Sequence, residues 1–179
     1  ALRFDHSGQK LAILYYDSAS RADIVDVNSA RILRRIGAVE QSASALSFSD
    51  DGRRLVVTSR TEGMVRLWDV EQARLERALR ISDFVAPGVH SNLTRAELTR
   101  SGKHLVVGRS EDVVVLQLDP PRLVQRVATK QKYHSPICAL DREAERIAVS
   151  TSSKEVELRE LHSGATLASF TTEYASDMA

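Results

Sequence analysis

Cysteine is almost missing from this chain: Cys138 stands alone among 179 residues. It has no partner for an internal disulfide, and a reducing, cytoplasmic setting is the expectation. Uninterrupted apolar runs of the ~18 residues that a spanning helix needs are also lacking, as is a positive segment followed by an apolar one at the start. No membrane partner is expected. Charge of one sign is missing too. Twenty-five basic residues face 24 acidic ones for a net of +1, which gives no global field to concentrate nucleic acid or anionic lipid. Lysine is scarce, with five against twenty arginines. Glycine-rich phosphate loops, nucleophile elbows and helix-borne zinc motifs are absent. The five histidines (His6, His90, His104, His134 and His162) fall far apart, none at metal-ligand spacing, so they are read as structural. Catalytic, cofactor-binding and metal-binding residues are all expected to be none.

What is present is a repeat. Leu46-Ser47-Phe48-Ser49-Asp50-Asp51-Gly52-Arg53-Arg54-Leu55 aligns with 2–11, 96–105 and 138–147, with the turn position at Gly8, Gly52, Gly102 and Ala144. A period in the range of ~40–45 residues is the mark of a repeat architecture. Each copy runs from alternating apolar residues through a polar turn into a short, wholly apolar segment, which is a hairpin from a half-polar strand into a buried one. Glycine in the turn supplies a left-handed backbone, and Ala144 in its place makes the fourth turn the one expected to differ. Third strands follow at Ile24–Val27, Val65–Val70, Val113–Leu118 and Val156–Leu161. The fourth segments include 71–80, which taken alone reads as an amphipathic helix. Residues 32–36 and 123–127 alternate instead, and equivalent segments of a repeat share one structure, so all four are assigned as strands. The arginine groups Arg31, Arg34, Arg35 and Arg74, Arg77, Arg80 fall on these strands and are read as solvated edges that discourage strand addition.

Phe48-Ser49-Asp50-Asp51-Gly52, Val65-Arg66-Leu67-Trp68-Asp69 and His134-Ser135-Pro136-Ile137-Cys138-Ala139-Leu140 resemble the WD-repeat β-propellers. The resemblance covers essentially the whole chain and is strongest in the second copy. The Trp-Asp pair is replaced by Val25-Asp26 in the first copy, Gln117-Leu118 in the third and Arg159-Glu160 in the fourth. It implies an all-β β-propeller of WD-repeat type: about four four-stranded antiparallel blades, at roughly 1–43, 44–93, 94–137 and 138–179, forming one partial propeller. The first strand of each blade would line a central channel, with Asp51, Gly52, Trp68 and Asp69 serving structure and Trp68 packing between blades. Four blades are few for a ring. The chain is read as part of a larger propeller, half of a dimeric one, or a four-blade ring, so additional blades or a second copy count among its expected partners.

The function that follows is a non-catalytic protein-protein interaction scaffold or a sensor or regulatory module. The resemblance places its contact face on the rim made by second-to-third-strand turns and by the loops entering each inner strand. On this chain that points to Tyr16, Arg60, His90, Asn92, Arg109 and His134, where Tyr and Arg are favoured interface anchors. The alternative is part of a propeller hydrolase or lyase whose catalytic residues lie in blades outside this chain. Arg3, Ser47, Glu97 and Asp141 on the inner strands are too mixed a set for acid-base or metal chemistry.

Overall fold

Alternation of period two dictates strands, and strands are what form. The computed structural model describes residues 1–15, 21–37, 43–59, 62–85, 92–130, 138–141 and 145–171. They build four separate four-stranded antiparallel sheets, each with its strands in sequence order. The first contains β1 (Leu2–Phe4), β2 (Lys10–Leu14), β3 (Ala22–Asp26) and β4 (Ile32–Ile36). The second contains β5 (Ala43–Phe48), β6 (Arg54–Ser59), β7 (Met64–Asp69) and β8 (Arg74–Arg80), followed by a single 3-10 turn at Ile81–Asp83. The third is β9 (Leu93–Leu98), β10 (His104–Arg109), β11 (Asp112–Leu118) and β12 (Pro121–Ala128). The fourth is β13 (Cys138–Asp141), β14 (Arg146–Ser150), β15 (Glu155–Glu160) and β16 (Thr166–Thr171). The helix-like segment before Ile81 is a strand, because its partner β7 is there to pair with it along six positions.

Three apolar layers hold the sheets face to face. Ala12, Leu14, Ile24 and Ile36 of the first sheet meet Leu46, Leu55, Val57 and Trp68 of the second. Val56, Val65, Leu67 and Leu79 meet Leu93, Leu98, Leu105, Val107 and Leu116 of the third. Val106, Val113 and Val115 meet Cys138, Ile147 and Val149 of the fourth. Successive residues of β6 and β10 therefore point into different layers, which is why these strands are apolar on both faces. Trp68 lies in the first layer, 7% exposed, and its indole N–H has no hydrogen-bond partner among the described residues. First strands of neighbouring blades lie side by side, β1 against β5 and β5 against β9. This is β-propeller architecture, with the blades stacked about the side where their first strands converge.

Among the described residues, no blade covers the outer face of the first blade or of the last. Leu2 pairs with Ile13 and Phe4 with Leu11, on the face of the first blade that points away from the second. Leu2 and Phe4 are 67% and 57% exposed. On the last blade the corresponding outer face carries Ala139, Ala148, Leu158 and Ala168 in one cross-strand row, with Phe170 exposed beside it. The blades do not close a ring.

Register corrects one expectation about the repeat. Leu105 pairs with Leu116 as Leu55 pairs with Trp68, so the Trp-Asp equivalents of the third blade are Leu116-Gln117, one residue before the pair read from sequence. Ala144 lies outside the described residues. The left-handed backbone of the fourth turn is at Glu145, with φ of 50°, while Gly52 takes 64° in the second.

Candidate interaction rim

Antiparallel blades divide their turns between two rims. One rim carries the β1–β2 and β3–β4 type turns of every blade; the other carries the β2–β3 type turns and the connections into the next inner strand.

Turns of the first rim close on themselves. Asp5 accepts hydrogen bonds from the Lys10 N–H at 2.9 Å and from Ser7 Oγ at 2.7 Å. Ser49 and Thr99 accept from the N–H groups of Arg54 and His104 in the same way. In the third-to-fourth-strand turns Asp26 accepts from Ser29 and Asp69 from the Gln72 N–H, each at 2.7 Å. The Ser29 hydroxyl and N–H hold the Asp26 carboxyl below its ordinary value. Such side-chain to backbone bonds fix turn shape and explain the polar residues at these positions.

Across the outer strands the blades are clamped by one repeated bond. Arg34, Arg77 and Gln125 occupy equivalent places, paired with Ile24, Leu67 and Val115. Each donates to a backbone carbonyl in the next blade: Arg34 Nε to Glu71 O at 2.6 Å, Arg77 to Leu118 O, and Gln125 Nε2 to Leu161 O at 2.9 Å. In the last blade the equivalent residue, opposite Leu158, is Ala168. Arg34 and Arg77 thus bridge blades and are not merely solvated edges. The clue in the sequence was their 43-residue spacing, close to the repeat itself.

The second rim is where the copies differ most. The β2–β3 connection runs from Tyr15 to Arg21, whose guanidinium sits 4.7 Å from the Tyr15 ring centroid. The equivalent turn of the third blade is only Ser110-Glu111. Asn92 is exposed at the entrance to β9. Tyr16, Arg60, His90 and His134 lie outside the described residues.

Arg109 requires correction. It stands at the rim end of β10 as expected, but its side chain is fully buried. Arg109 Nε donates to Asp112 Oδ1 at 2.5 Å, a second guanidinium nitrogen reaches Oδ2, and Arg126 adds another donor to the same carboxylate. Two arginines around one buried carboxylate brace the tight turn from within. As a surface anchor Arg109 is excluded by its burial. The sequence signal was Asp112, placed to face Arg109 across a two-residue turn.

On the channel side, Arg3, Leu46, Thr94 and Arg95 help line a recess of about 440 Å³ between the first three inner strands. Arg95 pairs with Glu97 at 2.5 Å and donates to Cys138 O at 3.1 Å, while Arg3 donates to Leu46 O at 3.3 Å. Burial pushes the Cys138 thiol up to about 11. On the first rim, His104, Glu145 and His162 come together although 41 residues separate the first two. Reading the histidines by sequence spacing alone could not find this group.

Comparison with known proteins bears on the fold. No family model matches the chain, and no curated protein matches it. It is similar in structure to the Cps50 (Swd1) beta-propeller domain of Myceliophteria thermophila, with a TM-score of 0.76 at 17% identity. It is also similar to the hydrazine synthase of Kuenenia stuttgartiensis, with a TM-score of 0.71 at 15% identity. These likenesses cover 97% and 95% of this chain, which spans only 55% and 48% of those two chains.

Proposed function

We propose that the chain is a non-catalytic interaction module, a scaffold or sensor part that takes a protein partner on its second rim. The observation that carries this reading is the contrast between the rims. The first-to-second-strand turns of the first rim repeat the same internal hydrogen bond in the first three blades, whereas the connections of the second rim vary most in length and composition over a constant scaffold. Variable loops held on rigid strands are where binding residues concentrate. Likeness to a propeller domain supports the reading at the level of fold alone. Tyr16, Arg60, His90, Asn92 and His134 are the proposed contacts; Arg109 supports the rim from inside.

The test is capture of partners from the source cells by the tagged chain. Tyr16→Ala with Arg60→Glu should lower recovery of a specific partner at least tenfold. Arg53→Glu with Lys103→Glu on the first rim should leave it unchanged. The opposite pattern would place the contact face on the wrong side.

A second reading is favoured by the channel recess and by the likeness to an enzyme, hydrazine synthase. In it this chain is part of a propeller enzyme, and Arg3 and Arg95 offer cations to an anionic substrate while catalytic groups come from blades outside this chain. Loss of a measured activity in Arg3→Ala, with partner capture intact, would favour this reading over the first.

A further inference from the structure

The first residue of each second strand points toward the turn of the following blade. In the first blade it is Lys10, whose Nζ donates to Gly52 O at 3.2 Å. In the second it is Arg54, whose guanidinium lies 3.3 Å from where a Cβ on Gly102 would be. At both junctions a permanent cation meets the next turn. In the third blade the place is taken by His104, and the repeat changes character.

His104 is 6% exposed, and its Nδ1 is buried with no hydrogen-bond partner among the described residues. One ring nitrogen of His104, one of His162 and one carboxylate oxygen of Glu145 lie within 4.8 Å of one another. The two imidazoles stand edge to face with centroids 4.7 Å apart, and His162 Nε2 touches Glu145 Oε2. Ser101 of the third blade donates to the other oxygen of Glu145 at 3.3 Å.

We infer that His104, Glu145 and His162 form a zinc site that ties the third blade to the fourth. Two imidazoles and one carboxylate are a donor set suited to first-row ions such as Zn²⁺, and poorly suited to Mg²⁺ or Ca²⁺, which take oxygen. Tetrahedral zinc with bonds of about 2.0–2.2 Å needs its ligand atoms roughly 3.3 Å apart. The half-exposed His162 can make that adjustment by side-chain rotation. His104 comes from one blade and the other two ligands from the next, so the ion takes the place of the cation that lies against the next turn at the first two junctions. A fourth position faces solvent beside His162, whose side chain is 52% exposed, and water would fill it. Burial is the main cause that lowers the His104 pKa, followed by the charge of His162; Glu145 opposes the shift, and Arg122 and Lys103 add to it. Those last two cations also oppose a metal ion, which makes Glu145, the anionic ligand, the one on which affinity depends most.

The test uses the metal-stripped chain with ZnCl₂, measured by equilibrium dialysis and by thermal melting. About one zinc per chain should bind and raise the melting temperature, while MgCl₂ does neither. Co²⁺ should give the visible absorption of a tetrahedral site. Glu145→Gln and His162→Ala, both on the surface side, should each weaken zinc binding at least 10- to 100-fold, the range lost when even an outer partner of a ligand is removed. His6→Ala, an exposed histidine on the first blade, should bind as the parent does. Zinc held no more tightly by the parent than by His162→Ala, or no zinc-dependent rise in melting temperature, would overturn the site. Neither result bears on the second rim, since the ligands belong to the first.

Discussion

Replacing Asp112 by alanine strands a charge, and the cost follows from where that charge lies. Arg109 and Asp112 are both fully buried, and Arg126 reaches the same carboxylate from a side chain 36% exposed. With Asp112 gone, Arg126 can turn to water, but the Arg109 guanidinium stays in an apolar setting with no counter-charge. Its Nη1 already lacks a partner among the described residues. Removing one member of a buried pair costs about 3–5 kcal/mol, against a total stability of about 5–15 kcal/mol for a domain. At a urea dependence of about 2 kcal/mol per molar, the midpoint should fall by roughly 2 M. Arg109→Met with Asp112→Leu removes both charges and their desolvation cost together, so the double variant should stay within about 1–2 kcal/mol of the parent. The assay is equilibrium urea unfolding of the parent, Asp112→Ala, the singles Arg109→Met and Asp112→Leu, and their double, read by circular dichroism, the last three and the parent completing a double-mutant cycle. An Asp112→Ala loss under about 1 kcal/mol, or a double variant whose loss is the sum of the singles, would refute the burial and pairing described for this turn.

Three further outcomes follow from the blade packing. Arg77→Ala, which removes a clamp onto Leu118 O, should cost about 1–2 kcal/mol in the same urea assay, the range for a charge-assisted hydrogen bond in part exposed to water; an unchanged midpoint would show that the bond contributes nothing. Cys138, pushed up to about 11 from 9.0 by burial, should resist iodoacetamide at pH 8 while the chain is folded and react once it is unfolded in urea. Because the neutral thiol is the favoured form, the stability linked to it holds below pH 9.0 and falls away as pH climbs toward 11. Fast labelling of the folded chain at pH 8 would contradict both statements. The uncovered end faces should make the isolated chain self-associate, so light scattering should give a mass above 19.8 kDa that rises with concentration. Leu2→Lys with Phe4→Lys should lower that mass, and a parent chain that is a single-mass monomer at every concentration would argue that the ends are covered.

Strand order, blade number and the strand character of the fourth segments were legible because the spacing of the turns survives in every copy and the fourth segments of the first and third copies alternate. The segment 71–80 shows how: good helix formers yield to a partner strand that only the repeat reveals. Side-chain partnerships across blades were not legible, for they join residues some forty positions apart that local patterns cannot connect. Arg34 and Arg77 looked like exposed edge charges until register aligned them with Gln125. Arg109 reads as a surface anchor in the sequence because the resemblance puts it on the contact rim and arginine is a favoured interface anchor; only Asp112 across the turn explains its burial. His104 comes from the start of β10, and Glu145 and His162 from two turns of the fourth blade, and stacking of the third blade on the fourth is what collects them.

The assignment of the second rim as the contact face can be tested with four of the five lysines. Lys130 and Lys154 lie exposed on that rim, while Lys10 and Lys103 lie on the first. Amine-reactive cross-linking of the captured complex, read by mass spectrometry, should join the partner through Lys130 and Lys154 and spare Lys10 and Lys103. Cross-links to the partner at Lys10 and Lys103, with none at the other two, would contradict it.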